Sequence, residues 1–360
     1  MYRIRGTLLP EGQQRDVFVV DGRFTFEAVD EARTLLDDAI LLPGLVDAHA
    51  HLAMASPAPS GATPREAAEA SARTQLDAGV LLIREPGGPT RDSSGIGPAQ
   101  GLPRVVTAGR FLAPPGRYFP GLAREVDEEG LPDAVVEECR ASGGAWAKVI
   151  GDSPFPGPGI TRTFSAEALR EAAARVHAIG GKIAIHGMIP DVIQDAIDAG
   201  FDTLEHGSHL APDQLASAAV ADVTWVPTRS IEEDVRGMVR SFGWPDDQVA
   251  SVDEGFDRQP EVLQAAADAG IRILAGTDAG MGPHGMIWRE VALLTEAGLT
   301  PEFALGSASW IARSFLGLPG IEEGAPADLV AYRDDPRTDL GVLASPDLVM
   351  LDGRLVRDPR

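Results

Sequence analysis

The chain has 360 residues, 44% of them apolar, and a formal net charge of −23. These totals suit one α/β barrel with an appendage and a large core, and they exclude nucleic acid and anionic membranes as partners, since both would be repelled. The one cysteine, Cys139, excludes an internal disulfide and a cysteine-rich zinc site, and is expected as a small core residue on a helix.

From the N-terminus, residues 2–9, 16–20 and 23–29 read as short strands parted by turn signals such as Asp21–Gly22. Residues 327–332 and 348–356 look similar, the latter a hairpin across Asp352–Gly353. The two ends, 1–43 and 320–360, are therefore expected to build a small β-sandwich around one continuous insertion, 44–319. In that insertion eight strand candidates, 40–47, 79–84, 104–107, 146–150, 182–186, 202–205, 223–227 and 271–276, alternate with helix-like spacing over 64–78, 132–142, 166–179, 190–199, 212–220 and 259–269. Thr63–Pro64 with Glu66, Ser165 with Glu167, and Pro212 mark helix starts, while Gly79, Gly180, Gly200 and Gly270 mark stops. The pattern predicts a (β/α)8 TIM barrel. Residues 86–103 and 108–131 read as loops over its mouth, and 228–257 as a further insertion. No apolar run reaches transmembrane length, and the first residues lack a long apolar stretch. A cytoplasmic protein acting on a small molecule is expected, with oligomerisation open.

His49 and His51 lie two apart at the end of an apolar run, LeuProGlyLeuValAspAlaHisAlaHisLeu. On a strand both imidazoles face one side and can reach one ion. Lys148 in TrpAlaLysValIle, His186 in IleAlaIleHis, His206 in LeuGluHisGly and Asp278 in LeuAlaGlyThrAsp each close a short apolar segment, so all converge on the C-terminal mouth of a barrel. A lysine in apolar surroundings is rarely without a partner. Its uncharged amine can take up CO2 to form a carbamate, an anion that can bridge two cations. The expected centre thus holds two divalent ions, one on His49, His51 and Asp278 and the other on His186 and His206, with the Lys148 carbamate shared. The donors suit zinc, and manganese, iron, cobalt and nickel are compatible. Asp47 is expected either to orient a ligand imidazole or to hold the strand end as a turn residue. His177 reads as a helix surface or packing residue, and His209 and His284 as loop residues that either support the ligands, contact substrate or are ordinary solvated histidines. An anionic substrate would need arginines against the acidic field, and Arg84, Arg117 and Arg229 lie near predicted strand ends.

These motifs, together with IleArgGluProGlyGly at 83–88, GlyAlaProAlaAspLeuVal and LeuAspGlyArgLeuVal, resemble the amidohydrolase superfamily. The resemblance is to its binuclear-metal branch of imidazolonepropionase-like proteins and Xaa-Pro dipeptidases, and it runs through the whole barrel. It implies a hydroxide held between the metals that attacks a carbonyl, with Asp278 as catalytic proton shuttle. The implied reaction is cleavage of a carbon–nitrogen amide in an N-acyl amino acid or dipeptide-like substrate. A lactone or phosphotriester hydrolase fits the same ligands. A mononuclear deaminase would leave Lys148 without a task, and the five residues after His186 contain no Glu. The complete ligand set argues against a noncatalytic scaffold. The chain departs from many relatives after strand three, where ProProGlyArgTyrPhe at 114–119 replaces a Gly-Gly-His-like segment, so Arg117 or Tyr118 is expected to contact substrate there.

Overall fold

The computed structural model describes residues 1–54 and 61–359. Both chain ends enter one seven-stranded sheet, in the order Arg354–Arg357, Leu348–Leu351, Leu329–Tyr332, Arg33–Pro43, Tyr2–Leu8, Gln13–Val20, Arg23–Thr25. Only Tyr2–Leu8 and Arg33–Pro43 run parallel. The sheet folds over its own core of Ile4, Val17, Phe24, Leu41, Leu329 and Met350. Its free edge then meets the opposite half through Phe24 N–H to Ala325 O and Ala327 N–H to Gly22 O.

The first barrel strand was expected over 40–47, but the structure divides that run. Residues 40–43 end the long strand Arg33–Pro43 of the terminal sheet, and the barrel begins at Leu45–Asp47. Gly44 makes the crossing possible, because a Cβ there would lie 2.3 Å from Leu81 Cδ1. Six further parallel strands follow at Val80–Glu85, Arg104–Thr107, Trp146–Ile150, Lys182–Gly187, Thr203–His206 and Thr224–Val226. The eighth segment, predicted as a strand over 271–276, is joined by a bridge between Trp225 and Ile273, by Leu274 N–H to Trp225 O and by Ala48 N–H to Ala275 O. It leaves the ladder where Thr277 N–H turns to the Asp47 carboxylate. The result is the expected (β/α)8 barrel.

Thr63 caps the first helix, Pro64–Asp77, in a capping box with Glu66, and Ser165 caps Ala166–Ala178. Pro212 opens a single 3-10 turn ahead of the short helix Leu215–Val220. Residues 108–131 carry the short strands Leu112–Ala113 and Arg124–Glu125, the first pairing with the fourth barrel strand at Val149. The 228–257 insertion is largely helical: Glu232–Ser241 is followed by Asp246–Asp268, which absorbs the expected helix over 259–269. Three later helices, Ile287–Glu296, Pro301–Ser307 and Trp310–Phe315, complete the outer ring. Cys139 is buried in the main core, as expected. Phe315 and Leu316 pack under Trp146 and Ala184, closing the N-terminal end of the barrel. Among the described residues, no helix is long and apolar enough to cross a membrane.

The eighth segment lies against the first strand, and there is no room for a side chain at Gly276. A Cβ would approach His49 Cβ at 2.6 Å, Val226 Cγ1 at 2.7 Å and His49 N at 2.9 Å. Gly276→Ala is therefore expected to destabilise the protein by about 2 kcal/mol, seen as a lower midpoint in thermal or urea unfolding. An unchanged midpoint would show that the two segments can separate freely.

Candidate functional site

Three acceptor atoms meet at the C-terminal mouth. His49 Nε2 lies 3.2 Å from His51 Nε2, and Asp278 Oδ1 lies 3.3 Å from the first and 2.9 Å from the second. The tautomers follow from the other ring nitrogens. His51 Nδ1–H donates to the Gly87 carbonyl at 2.7 Å, and His49 Nδ1–H donates to Glu205 Oε2 at 2.7 Å. Both Nε2 atoms are thus left with lone pairs aimed at a carboxylate oxygen that finds no hydrogen-bond donor of its own. Such an arrangement repels itself unless a cation sits among the three, so these residues fit a metal ion. Burial works against charge on Asp278, but His49 and His51 outweigh it and hold the carboxyl well below its usual range. With no metal there the same attraction favours a proton: burial opposes protonation of His49, but Asp278 with Glu205 outweighs it and raises its pKa, so a metal ion would take the place that a proton on Nε2 otherwise fills.

Backbone geometry delivers these groups. Asp47 accepts from His49 N–H at 3.2 Å and from Thr277 N–H at 3.0 Å through Oδ1, and from Thr277 Oγ1–H and Gln75 Nε2–H through Oδ2. Asp278 N–H donates to His49 O at 2.7 Å. Asp47 therefore holds the strand end, tying strand one to the eighth segment, and its hydrogen bonds go to no imidazole, so of its two expected roles the orienting one does not hold. That role falls to Glu205, which sequence reasoning passed over inside LeuGluHisGly. A carboxylate in a buried strand was the available signal.

His186 and His206 form a second pair, with ring centroids 4.5 Å apart, and His206 lies 5.0 Å from His49 on the same measure. His206 Nδ1 pairs with Thr228 Oγ1 at 2.8 Å, and His186 Nε2 lies 3.5 Å from Asp152 Oδ1. Asp152 is fixed by Met188 and Ile189 N–H groups, and burial pushes its carboxyl up to about 7. Burial, with the Lys148 charge adding, pushes His186 down to about 3, so both rings of the pair are neutral. Lys148 lines the same cleft, 1% exposed, without a hydrogen bond or ion pair to any described residue. Burial lowers its pKa to about 8 against the pull of Glu205, which raises the share of free amine near neutral pH. His206, Thr228 and Asp278 all take left-handed backbone, at φ 66°, 49° and 52°. Strain of this kind gathers where side chains are held for function.

Above the cluster opens a cleft of about 850 Å³, a figure that takes in the open space at its mouth. Of the expected substrate contacts, Tyr118 alone lines it. Its ring packs on Phe111 and faces His186, and burial followed by the Asp278 charge raises its pKa, so the phenol keeps its proton. Arg84 is a correction. It is buried inside the barrel, bonded to Ala48 O, Thr203 and Glu205 and stacked 4.3 Å over Trp146, because the Glu205 carboxylate draws the guanidinium inward. Arg117 turns to Thr161 and Arg162 O, Arg229 to Gln259 and Glu232, and His209 to Ser208 and Ser251 O, so none of the three faces the cleft. His284 lies outside the lining with both ring nitrogens unpaired among the described residues, and His177 pairs with Asp202 on the surface.

The Amidohydrolase family profile matches residues 40–356. An uncharacterized protein of Mycobacterium tuberculosis, Rv2915c, is 39% identical over 354 residues, covering 98% of this chain and 94% of its own length. Ochratoxinase of Aspergillus niger is 30% identical over 243 residues, covering 63% of this chain and 47% of its own. Among solved structures, a Xaa-Pro dipeptidase with methionine in its active site superposes with a TM-score of 0.83 at 21% identity over 99% of both chains. At that identity the likeness concerns the fold. The family match spans the barrel and the metal-fitting group of His49, His51 and Asp278, and on it this chain belongs to the amidohydrolase family of metal-dependent hydrolases.

Proposed function

We propose that this protein hydrolyses a carbon–nitrogen amide bond using two divalent ions, zinc by donor type, held by His49, His51, Asp278, His186, His206 and a carbamate on Lys148. The observation that carries the reading is the meeting of His49 Nε2, His51 Nε2 and Asp278 Oδ1 with no donor among them. Divalent ions bound there supply Lewis acidity toward a carbonyl oxygen and a water acidic enough to be a nucleophile near neutral pH.

The chain's own groups supply the rest. The free amine of Lys148 adds to the carbon of CO2 and loses a proton, giving an anion with two oxygens beside the His186–His206 pair. Asp278 uses Oδ1 in the cluster, and its second oxygen takes the proton of the attacking water and passes it to the leaving nitrogen. Tyr118, kept neutral, donates to the carbonyl oxygen as it gains negative charge. The site suits an amide, since an amine leaves only when protonated and Asp278 provides that proton. The dipeptidase among the structural neighbours is named for cleaving a peptide amide. The N-acyl amino acid and dipeptide expectation shares that bond. Its free carboxylate is a separate matter, since Arg84, Arg117 and Arg229 do not reach the cleft.

Metal analysis of protein supplied with zinc and bicarbonate is expected to give about two equivalents per chain, falling to one or fewer in Lys148→Ala. A single equivalent unchanged by that substitution would favour a mononuclear centre. Asp278→Asn is expected to lower kcat by about 10³-fold on any amide turned over, and full retained activity would remove its proton-carrying role. Tyr118→Phe is expected to lower kcat by about 10- to 100-fold with little change in KM. An effect on KM alone would make Tyr118 a binding contact instead.

A further inference from the structure

We infer that the substrate is an uncharged amide bearing a bulky apolar group, without a free carboxylate beside the scissile bond. This rests on the amide reading and narrows it. Above the metal-fitting floor, the walls of the cleft are apolar. One is the helical insertion, which contributes Val235, Met238, Val239 and Trp244, and Phe111 and Phe119 stand among the residues that complete the lining. Apart from the cluster, the hydroxyls of Tyr118 and Thr228 and the indole N–H of Trp244 are the polar side-chain groups among the described lining residues, and all are neutral.

An anionic group on the substrate would need a cation, and those near the mouth are committed elsewhere. Arg117 bonds Thr161 and Arg162 O, and Arg229 bonds Gln259 and Glu232. Arg236 is shared among Glu232, Asp253 and Asp257, and Arg162 pairs with Asp195. Residues 55–60, AlaSerProAlaProSer, hold no Lys or Arg in sequence. The cluster and Tyr118 serve the scissile carbonyl and Thr228 holds the His206 ring, so a carboxylate a few atoms away would meet rings and thioethers, with the neutral indole N–H of Trp244 the one further side-chain donor among the described lining residues to replace its water. Four of the seven methionines of the chain, Met54, Met188, Met238 and Met281, line the cleft. Thioethers adapt to differently shaped partners, so the apolar group is expected to vary in size without large loss of rate.

The test uses matched pairs on the metal-loaded full chain: N-octanoyl-phenylalanine and N-phenylacetyl-phenylalanine against their carboxamides, with acyl anilides, the corresponding esters and alkyl lactones alongside. The neutral members are expected to exceed the free acids by about 100-fold or more in kcat/KM. Met238→Arg, at a half-buried position, is expected to narrow that ratio by rescuing the acids. Equal or better hydrolysis of the free acids would overturn the inference while leaving the amide reading intact. Turnover confined to esters or lactones, with the neutral preference kept, would overturn the amide reading and leave this inference standing. Binding is read separately from turnover by Trp fluorescence, taken as the difference between wild type and Trp244→Phe on titration with N-octanoyl-phenylalaninamide and with N-octanoyl-phenylalanine. Tighter binding of the amide supports the inference even without turnover, and equal binding of the two overturns it.

Discussion

Glu205 is wholly buried and yet held ionised, because burial is outweighed by Arg84, which bonds it at 2.7 Å, by the Lys148 charge, and by the imidazole of His49. Its two oxygens also serve Thr203 and fix the His49 ring with Nδ1 protonated. Everything above this layer follows from that tautomer. Were His49 Nδ1 bare, its Nε2 would carry the proton, and the three-acceptor meeting with His51 and Asp278 would become an ordinary hydrogen bond with no need of a metal. A buried carboxylate stripped of its cation costs about 3–5 kcal/mol, so Arg84 stabilises the fold and sets the chemistry through one contact.

A strand sends neighbouring side chains to opposite faces, and this rule conflicts with a floor that needs both Glu205 and His206 inside the barrel. The conflict is resolved by the left-handed backbone of His206, whose carbonyl is held by Trp225 Nε1–H at 2.9 Å and Gln259 Nε2–H at 3.2 Å. Thr228 and Asp278 repeat the device at the ends of the next two barrel segments. The metal-fitting cluster is thus built where regular strands stop, and neighbouring elements hold the strained turns in place.

This explains what was legible in the sequence. His49 and His51 could be read as a pair because strand alternation puts them on one face, and His186, His206 and Asp278 because each ends an apolar run at one mouth. The eightfold alternation itself gave the barrel. Glu205 escaped because its neighbour His206 took the inward assignment, and only a backbone break lets both face inward. Arg84 was misread because a strand-end position does not reveal the depth of a side chain or the carboxylate that captures it. The helical character of the 228–257 insertion is hard to read because charged residues such as Glu232, Glu233 and Asp234 mask its narrow apolar stripe.

That stripe bears on how substrate choice and chemistry are joined. The long helix Asp246–Asp268 presents Phe256 to the cleft, and three residues later Gln259 reaches His206 O and the Arg229 side chain. The same turn region is fixed from the other side by Glu290, whose carboxylate accepts from the N–H groups of Arg229 and Ser230, next to the Thr228 that holds the His206 ring. The apolar wall and the histidine floor therefore share one set of hydrogen bonds. A shift of this helix large enough to reshape the wall would also release the carbonyl that keeps His206 left-handed. Substrate range in this protein is then more readily changed by side chains on the shorter helix Glu232–Ser241, such as Met238, than by moving the insertion as a body.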